Sequence, residues 1–168
     1  MAVIVAASNF LVEIPINSWL VWGSLTYPVA FLVTDLTNRL YGAATARKVV
    51  LVGFVVGVAL SIYFASPRIA IASGTAFLVS QMLDVSVFNR LRQHVWWVAP
   101  VVSSALSSFV DNTLFWVLAF FGEGDWWYKP MVTDLLVKWA VALAALVPYG
   151  VIAKFFSAKK DPDQTAAV

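Results

Sequence analysis

Six apolar runs, at residues 1–16, 19–36, 49–66, 69–88, 98–121 and 131–156, are parted by short polar breaks and fill most of the 168 residues. About 20 apolar residues in a helix cross a hydrocarbon core of about 30 Å. Inside that core every backbone N–H and C=O must be satisfied within the chain. Only 12% of the residues are charged, against about 25% in a soluble domain, too few to cover a water-soluble fold of this size. The expected fold is an all-α integral membrane protein with six transmembrane helices in a compact bundle. The first run is the short one, and no basic region or small-residue cleavage site accompanies it, so it reads as a retained helix rather than a signal peptide.

Punctuation falls between the runs. Pro15, Pro67, Pro100 and Pro130 mark helix ends, and Gly122 and Gly124 open the longest loop. Pro28 and Pro148 lie inside runs and are expected to kink them. Arg39, Arg47, Lys48, Arg90, Arg92, Lys154, Lys159 and Lys160 lie on one side, against only Arg68 and Lys129 on the other. Loop cations stay in the cytoplasm, which puts both termini there. Trp19, Trp22, Trp126, Trp127 and Tyr128 would form the outer aromatic belt, with Trp96 and Trp97 in the inner one. The transmembrane domain is expected over residues 1–158, followed by a disordered cytoplasmic tail at 159–168.

Polar residues inside the runs are the functional signal. Glu13, Asp35, Asp84, Asp111, Asp134 and Lys138 lie within or at the edge of spans, and a charge at the bilayer centre costs about 2.5–3.5 kcal/mol. Even half of them would sum to about 10 kcal/mol, as much as a typical domain's stability. Counting depth along the helices brings Asn9, Gln81, Asp111 and Lys138 nearest the midplane, from four different helices. Asn9 with Glu13, Gln81 with Asp84, and Asp134 with Lys138 share helix faces, and Ser104, Ser107, Ser108 and Asp111 form one small, polar stripe. Two readings follow: mutual neutralisation and interhelical glue, or a solvated site that holds a ligand. Four helices contributing at one depth favour the second. Asp35, Asn38 and Arg39 are different. They end the second run, where Arg39 can reach headgroups and Asn38 with Gly42 can stop the helix. They read as a lock at the inner mouth, or as a gate there.

The runs SNFL (8–11), FLVTDLTNRLYGAATAR (31–47), SQMLDVSVFNRLR (80–92), WWVAPVVSSALSSFVDNTLFWVLAFF (96–121) and VTDLLVKW (132–139) resemble those of the queuosine precursor transporters, within the wider vitamin uptake transporter group. The resemblance runs in order through nearly every span except the third. It implies a fold similar to the S-components of energy-coupling-factor transporters and a place in the bacterial inner membrane. The implied cargo is 7-cyano-7-deazaguanine or its 7-aminomethyl form, taken up for tRNA modification. Asn9, Asp35, Arg39, Gln81, Asp84, Asp111 and Lys138 fall on the family's pattern, and Glu13 departs from it. A deazaguanine offers adjacent N–H donors that a carboxylate can accept. On that basis Asp111 or Asp84 would take the donor edge, Gln81 and Asn9 would orient the ring, and Lys138 or Asp134 would complete the polar wall. Phe88, Phe109, Phe115 and Trp116 are the candidate stacking rings.

Other classes fit less well. With no cysteine and one histidine, no thiolate or imidazole metal cluster can form, and a net charge of +2 is too small to suggest nucleic acid. Asp35 and Arg47 faintly resemble the signature of a phospholipid-forming phosphotransferase. That chemistry needs further acids on neighbouring turns, and none follows Asp35 before Asp84. No Gly-rich phosphate loop is present, so the chain itself cannot hydrolyse ATP. The residues point to no cofactor and no enzyme activity. They leave open a lone carrier, a binding subunit that needs a separate energising module, and a homodimer.

Overall fold

A computed structural model describes residues 2–11, 14–17, 20–26, 28–64, 66–124 and 126–160. Its elements in chain order are α1 (Ala2–Leu11), β1 (Pro15–Asn17), β2 (Leu20–Val21), α2 (Gly23–Thr26), α3 (Pro28–Tyr41), α4 (Ala43–Phe64), α5 (Pro67–Leu91), α6 (Val98–Phe120) and α7 (Tyr128–Lys160). Among the described residues the protein is helical apart from one antiparallel hairpin that pairs Pro15 with Val21. Among the described residues four helices are long and apolar enough to span a membrane: α4, α5, α6 and α7. These correspond to the last four apolar runs.

The first two runs fold differently from two uninterrupted spans. α1 is described to Leu11, the hairpin follows, and the second run is helical only from Gly23 onward, after β2. Pro28 is the first described residue of α3. Pro67 begins α5, where its missing N–H costs nothing and its fixed φ suits the first helical position, with Ser66 Oγ accepting from the Ile69 N–H at 3.3 Å. Pro148 lies inside α7, which runs on past it. Glu13, Trp19 and residues 161–168 lie outside the described residues.

The distribution of side chains is that of a bundle in lipid. Val52, Val55, Tyr63, Ile71, Leu143, Val147 and Phe155 are exposed, while Asp35, Asn38, Gln81, Asp84, Asp111, Asp134 and Lys138 are buried. In water that would be backwards, because charged residues are rarely buried without partners. The most extensive packing is α5 on α6. A cluster of Ala30, Phe31, Ala46, Val50, Phe77 and Val85 joins α3, α4 and α5, and a second, around Ile69, Ala72, Phe115 and Trp116, joins α5 and α6. At Gly74 the helices α4 and α5 approach so closely that a Cβ there would lie 2.9 Å from Val58 Cγ2.

Gly42 ends α3 with φ +86°, a conformation costly for any residue with a Cβ, and its N–H bonds the Asn38 carbonyl at 3.0 Å. Beside it, Arg39 Nη1 donates to the Arg92 carbonyl at 2.7 Å, and Arg92 Nη2 donates to the Arg39 carbonyl at 3.3 Å. Each guanidinium thus serves the C-terminal carbonyls of the other helix, where positive charge also suits the helix dipole. Of the residues expected at the inner mouth, Arg39 bonds across to the end of α5, and Asp35 forms no ion pair with it.

Candidate functional site

The buried polar residues gather into two nodes on α6. The upper node is ionic. Lys138 Nζ lies 3.0 Å from Asp111 Oδ2 and 2.9 Å from Asp134 Oδ2. Trp116 Nε1 donates to Asp134 Oδ2 at 3.1 Å, and Ser80 Oγ donates to Asp111 Oδ1 at 3.2 Å. The one-turn spacing on α7 already sets Asp134 against Lys138. Packing of α5, α6 and α7 adds Asp111, Ser80 and Trp116. Asn112 Nδ2 closes this end by donating to the Met131 carbonyl at 2.9 Å.

The second node lies about 10 Å away, counting seven residues down α6 from Asp111 to Ser104. Here Asp35 Oδ1 and Oδ2 accept from Ser103 Oγ at 3.3 Å and Ser104 Oγ at 3.0 Å. Asp84 of α5 is completely buried beside the Asp35 carboxyl. Neither of its oxygens has a hydrogen-bond donor among the described residues. Neither aspartate forms an ion pair among them. One turn before Asp84, Gln81 is just as buried. Its carbonyl oxygen accepts from Thr34 Oγ1, while its Nε2 donates to nothing among the described residues. Asn38 Nδ2 donates to the Val85 carbonyl at 3.1 Å and helps hold α3 on α5.

A cleft opens at this node. Pro28, Phe31, Leu32, Asp35, Pro100, Ser104, Ala142, Ala145, Leu146 and Tyr149 line about 270 Å³ of space, mouth included. Its enclosed part has room for about one water. Tyr149 is 1% exposed, and its hydroxyl is without a partner among the described residues. Its ring meets Phe88 edge to face at a centroid distance of 6.4 Å. Buried polar groups are nearly always paired in native structures, so the concentration here is unusual: Asp84, Gln81 Nε2, Tyr149 and, along α6, Ser107 and Ser108.

This geometry sorts the expected site residues. Gln81, Asp84 and Phe88 stand at the second node with Asp35, which depth counting had set apart at the mouth. Asp111, Asp134, Lys138 and Trp116 form the ionic node, paired with one another. The Asn9 side chain lies outside the described residues. Phe109 is half exposed on the outer face, and Phe115 packs edge-on against Trp116 at 5.8 Å. Tyr149 escaped the sequence reading. The one hint was a phenol directly after a mid-span proline.

Comparison with known proteins bears on what such a cleft could serve. The family model described as a putative vitamin uptake transporter matches residues 21–66 and 61–153. The chain is 37% identical to a probable queuosine precursor transporter of Haemophilus influenzae, covering 89% of this chain and 81% of that one. The chain belongs to the queuosine precursor transporters of the vitamin uptake transporter family. Identity to the Escherichia coli queuosine precursor transporter is 31%, with the same coverage of 89% and 81%. To the probable queuosine precursor transporter of Bacillus subtilis it is 33%, over 79% of this chain and 70% of the relative. No solved structure matches the chain. Family membership and the apolar helices make it a multi-pass protein of the bacterial inner membrane.

Proposed function

We propose that this protein carries queuosine precursors, the 7-deazaguanines bearing a 7-cyano or 7-aminomethyl group, into the bacterial cell, and that it holds them at the Asp84 node. In this reading α1 and α3 complete a six-crossing bundle of the S-component type with both termini in the cytoplasm. One observation carries the site. Gln81 Nε2 is a buried donor without an acceptor, and one turn away Asp84 presents two buried acceptors without a donor. The edge of a guanine ring is the complement: a carbonyl acceptor beside a ring N–H and an exocyclic amine. Seating that edge on Gln81 and Asp84 satisfies three groups whose desolvation the empty fold leaves uncompensated.

The names of the relatives support the cargo class, and the membership in a transporter family argues against an enzyme. The ionic node serves this reading as a fixed strut that sets α5, α6 and α7 around the site. The cleft is too small for a bicyclic ring as it stands, so loading requires its walls to part, and α7, which lacks one backbone bond at Pro148, is the wall best suited to yield. Uptake of labelled 7-deazaguanines into cells that cannot make them is the test. Asp84→Asn and Gln81→Ala should each lower uptake at least tenfold while the protein stays in the membrane. Wild-type uptake by both variants would refute the site. Transport by the purified protein in empty liposomes would show that no energising module is needed.

A further inference from the structure

We infer that the Asp35–Asp84 carboxyl pair shares one proton and that this proton crosses with the cargo, which makes uptake a proton symport. The inference rests on the cargo reading above and adds the ion that accompanies the cargo.

The surroundings of the pair decide it. Asp35 and Asp84 lie side by side, both buried, and α6 offers them only the Ser103 and Ser104 hydroxyls. Arg39 of α3 and Arg92, just past α5, are spent on each other's carbonyls. On α7, Lys138 is held by Asp111 and Asp134, and Tyr149 brings an unpartnered phenol. α4 packs Ala46, Val50 and Phe54 against α3 and α5, and α1 and α2 contain no titratable side chain. Among the described residues, then, no cation pairs with either carboxyl. Two adjacent carboxylates in so dry a place cannot both stay charged. One proton removes the repulsion and turns Asp35 into a donor. Asp84, which has no donor while both are ionised, accepts from it.

The cargo makes that proton obligatory. A guanine edge brings its N–H donors to Asp84, whose oxygens each have room for a second donor. Asp35 then stays buried without a counter-charge unless it keeps the proton. Cargo and proton therefore raise the affinity for one another by the same factor. Each turnover takes one proton from the outer water to the pair and releases it to the cytoplasm, and no bond of the cargo changes.

A second and independent observation supplies the route. Ser107 and Ser108 are buried on α6, and neither hydroxyl has a partner among the described residues. Both stand about one turn from Ser104 on one side and about one turn from Asp111 on the other, steps of about 5–6 Å along one helix face. A hydroxyl both donates and accepts, so these two, with water bridging the gaps, relay a proton from the ionic node to the carboxyl pair.

The experiment uses liposomes containing the full chain and the 7-cyano form, which has no alkylamine to titrate. With the membrane potential clamped at zero, an inward gradient of about one pH unit should accumulate the cargo about tenfold, the limit for one proton per cargo. An uncoupler should abolish the accumulation, and a trapped pH dye should record protons entering with the cargo. Ser107→Ala with Ser108→Ala, away from the cargo contacts, should slow this uptake about fivefold or more and leave cargo affinity unchanged. The infrared carbonyl band of a protonated carboxyl should be present in the wild type and absent when Asp35 and Asp84 are both asparagine. Cargo movement indifferent to the proton gradient, accumulation driven by sodium instead, or binding without transport overturns the coupling and leaves the cargo reading standing. A carbonyl band that persists without the pair places the proton elsewhere and overturns the assignment to these carboxyls. Failure to bind either deazaguanine overturns the cargo reading and the coupling together. Should the double asparagine variant not reach the membrane, the gradient and dye measurements on the wild type still decide.

Discussion

Lys138→Met separates the two nodes energetically. In the fold its ammonium holds two carboxylates at 2.9 and 3.0 Å, with side-chain exposures of 5% for the lysine and 7% and 3% for Asp134 and Asp111. Removing the cation strands two buried like charges, and breaking one such pair costs about 3–5 kcal/mol. At about 2–4 °C per kcal/mol for a chain of this length, the detergent-solubilised variant should melt about 6–20 °C lower. Adding Asp111→Asn and Asp134→Asn to Lys138→Met removes the stranded charges. Replacing an entire buried ionic group is often close to neutral, so the triple variant should regain at least half of the loss. Asp84→Asn is the control of opposite sign. Asp84 has no donor and no ion pair to lose among the described residues, and its substitution should leave the melting temperature unchanged or raise it. Intrinsic tryptophan fluorescence, with eight tryptophans in the chain, follows all three. A single variant shifted by less than about 2 °C, or a triple variant no better than the single, would refute the division into a structural node and a binding node.

Trp116→Phe removes the indole donor from Asp134 and leaves a small cavity where the second ring packed, so it should cost at least about 1.5–3 kcal/mol, the worth of a bond to a charged group, read as a lower melting temperature. Gly74→Leu drives a side chain into Val58 and Phe54, and should destabilise by about 1–3 kcal/mol and lower the yield of folded protein. Tyr149→Phe deletes a hydroxyl that the empty fold leaves unpaired, so thermal stability should hold or rise. The half-saturation concentration for uptake should meanwhile increase about fivefold, the worth of one hydrogen bond.

What the sequence made legible follows the range of each interaction. The runs that became α4, α5, α6 and α7 were readable because length and hydropathy alone decide a span, and Pro67 and Gly42 announced two of the ends. The start of the chain was not, since the hairpin from Pro15 to Val21 interrupts residues whose composition alone is that of a span. Asp134 and Lys138 could be paired from their spacing on one helix. Asp111 reaches the same ammonium only through the packing of α6 on α7, which spacing does not encode. Asp35 shows the limit most sharply. Its neighbour one turn on is Arg39, the obvious partner, yet that guanidinium goes to a carbonyl at the end of α5, and Asp35 faces Ser103, Ser104 and Asp84. Depth was counted from a run ending at Leu36, whereas α3 continues to Tyr41 and leaves Asp35 six residues inside the helix end.

The crossed arginines at the ends of α3 and α5 have a mechanical consequence. Each guanidinium is anchored on the backbone beside the other's own Cα, so drawing the two termini apart loads both contacts at once. That corner therefore acts as a double clasp, in which either arginine still bridges the two helix ends when the other lets go.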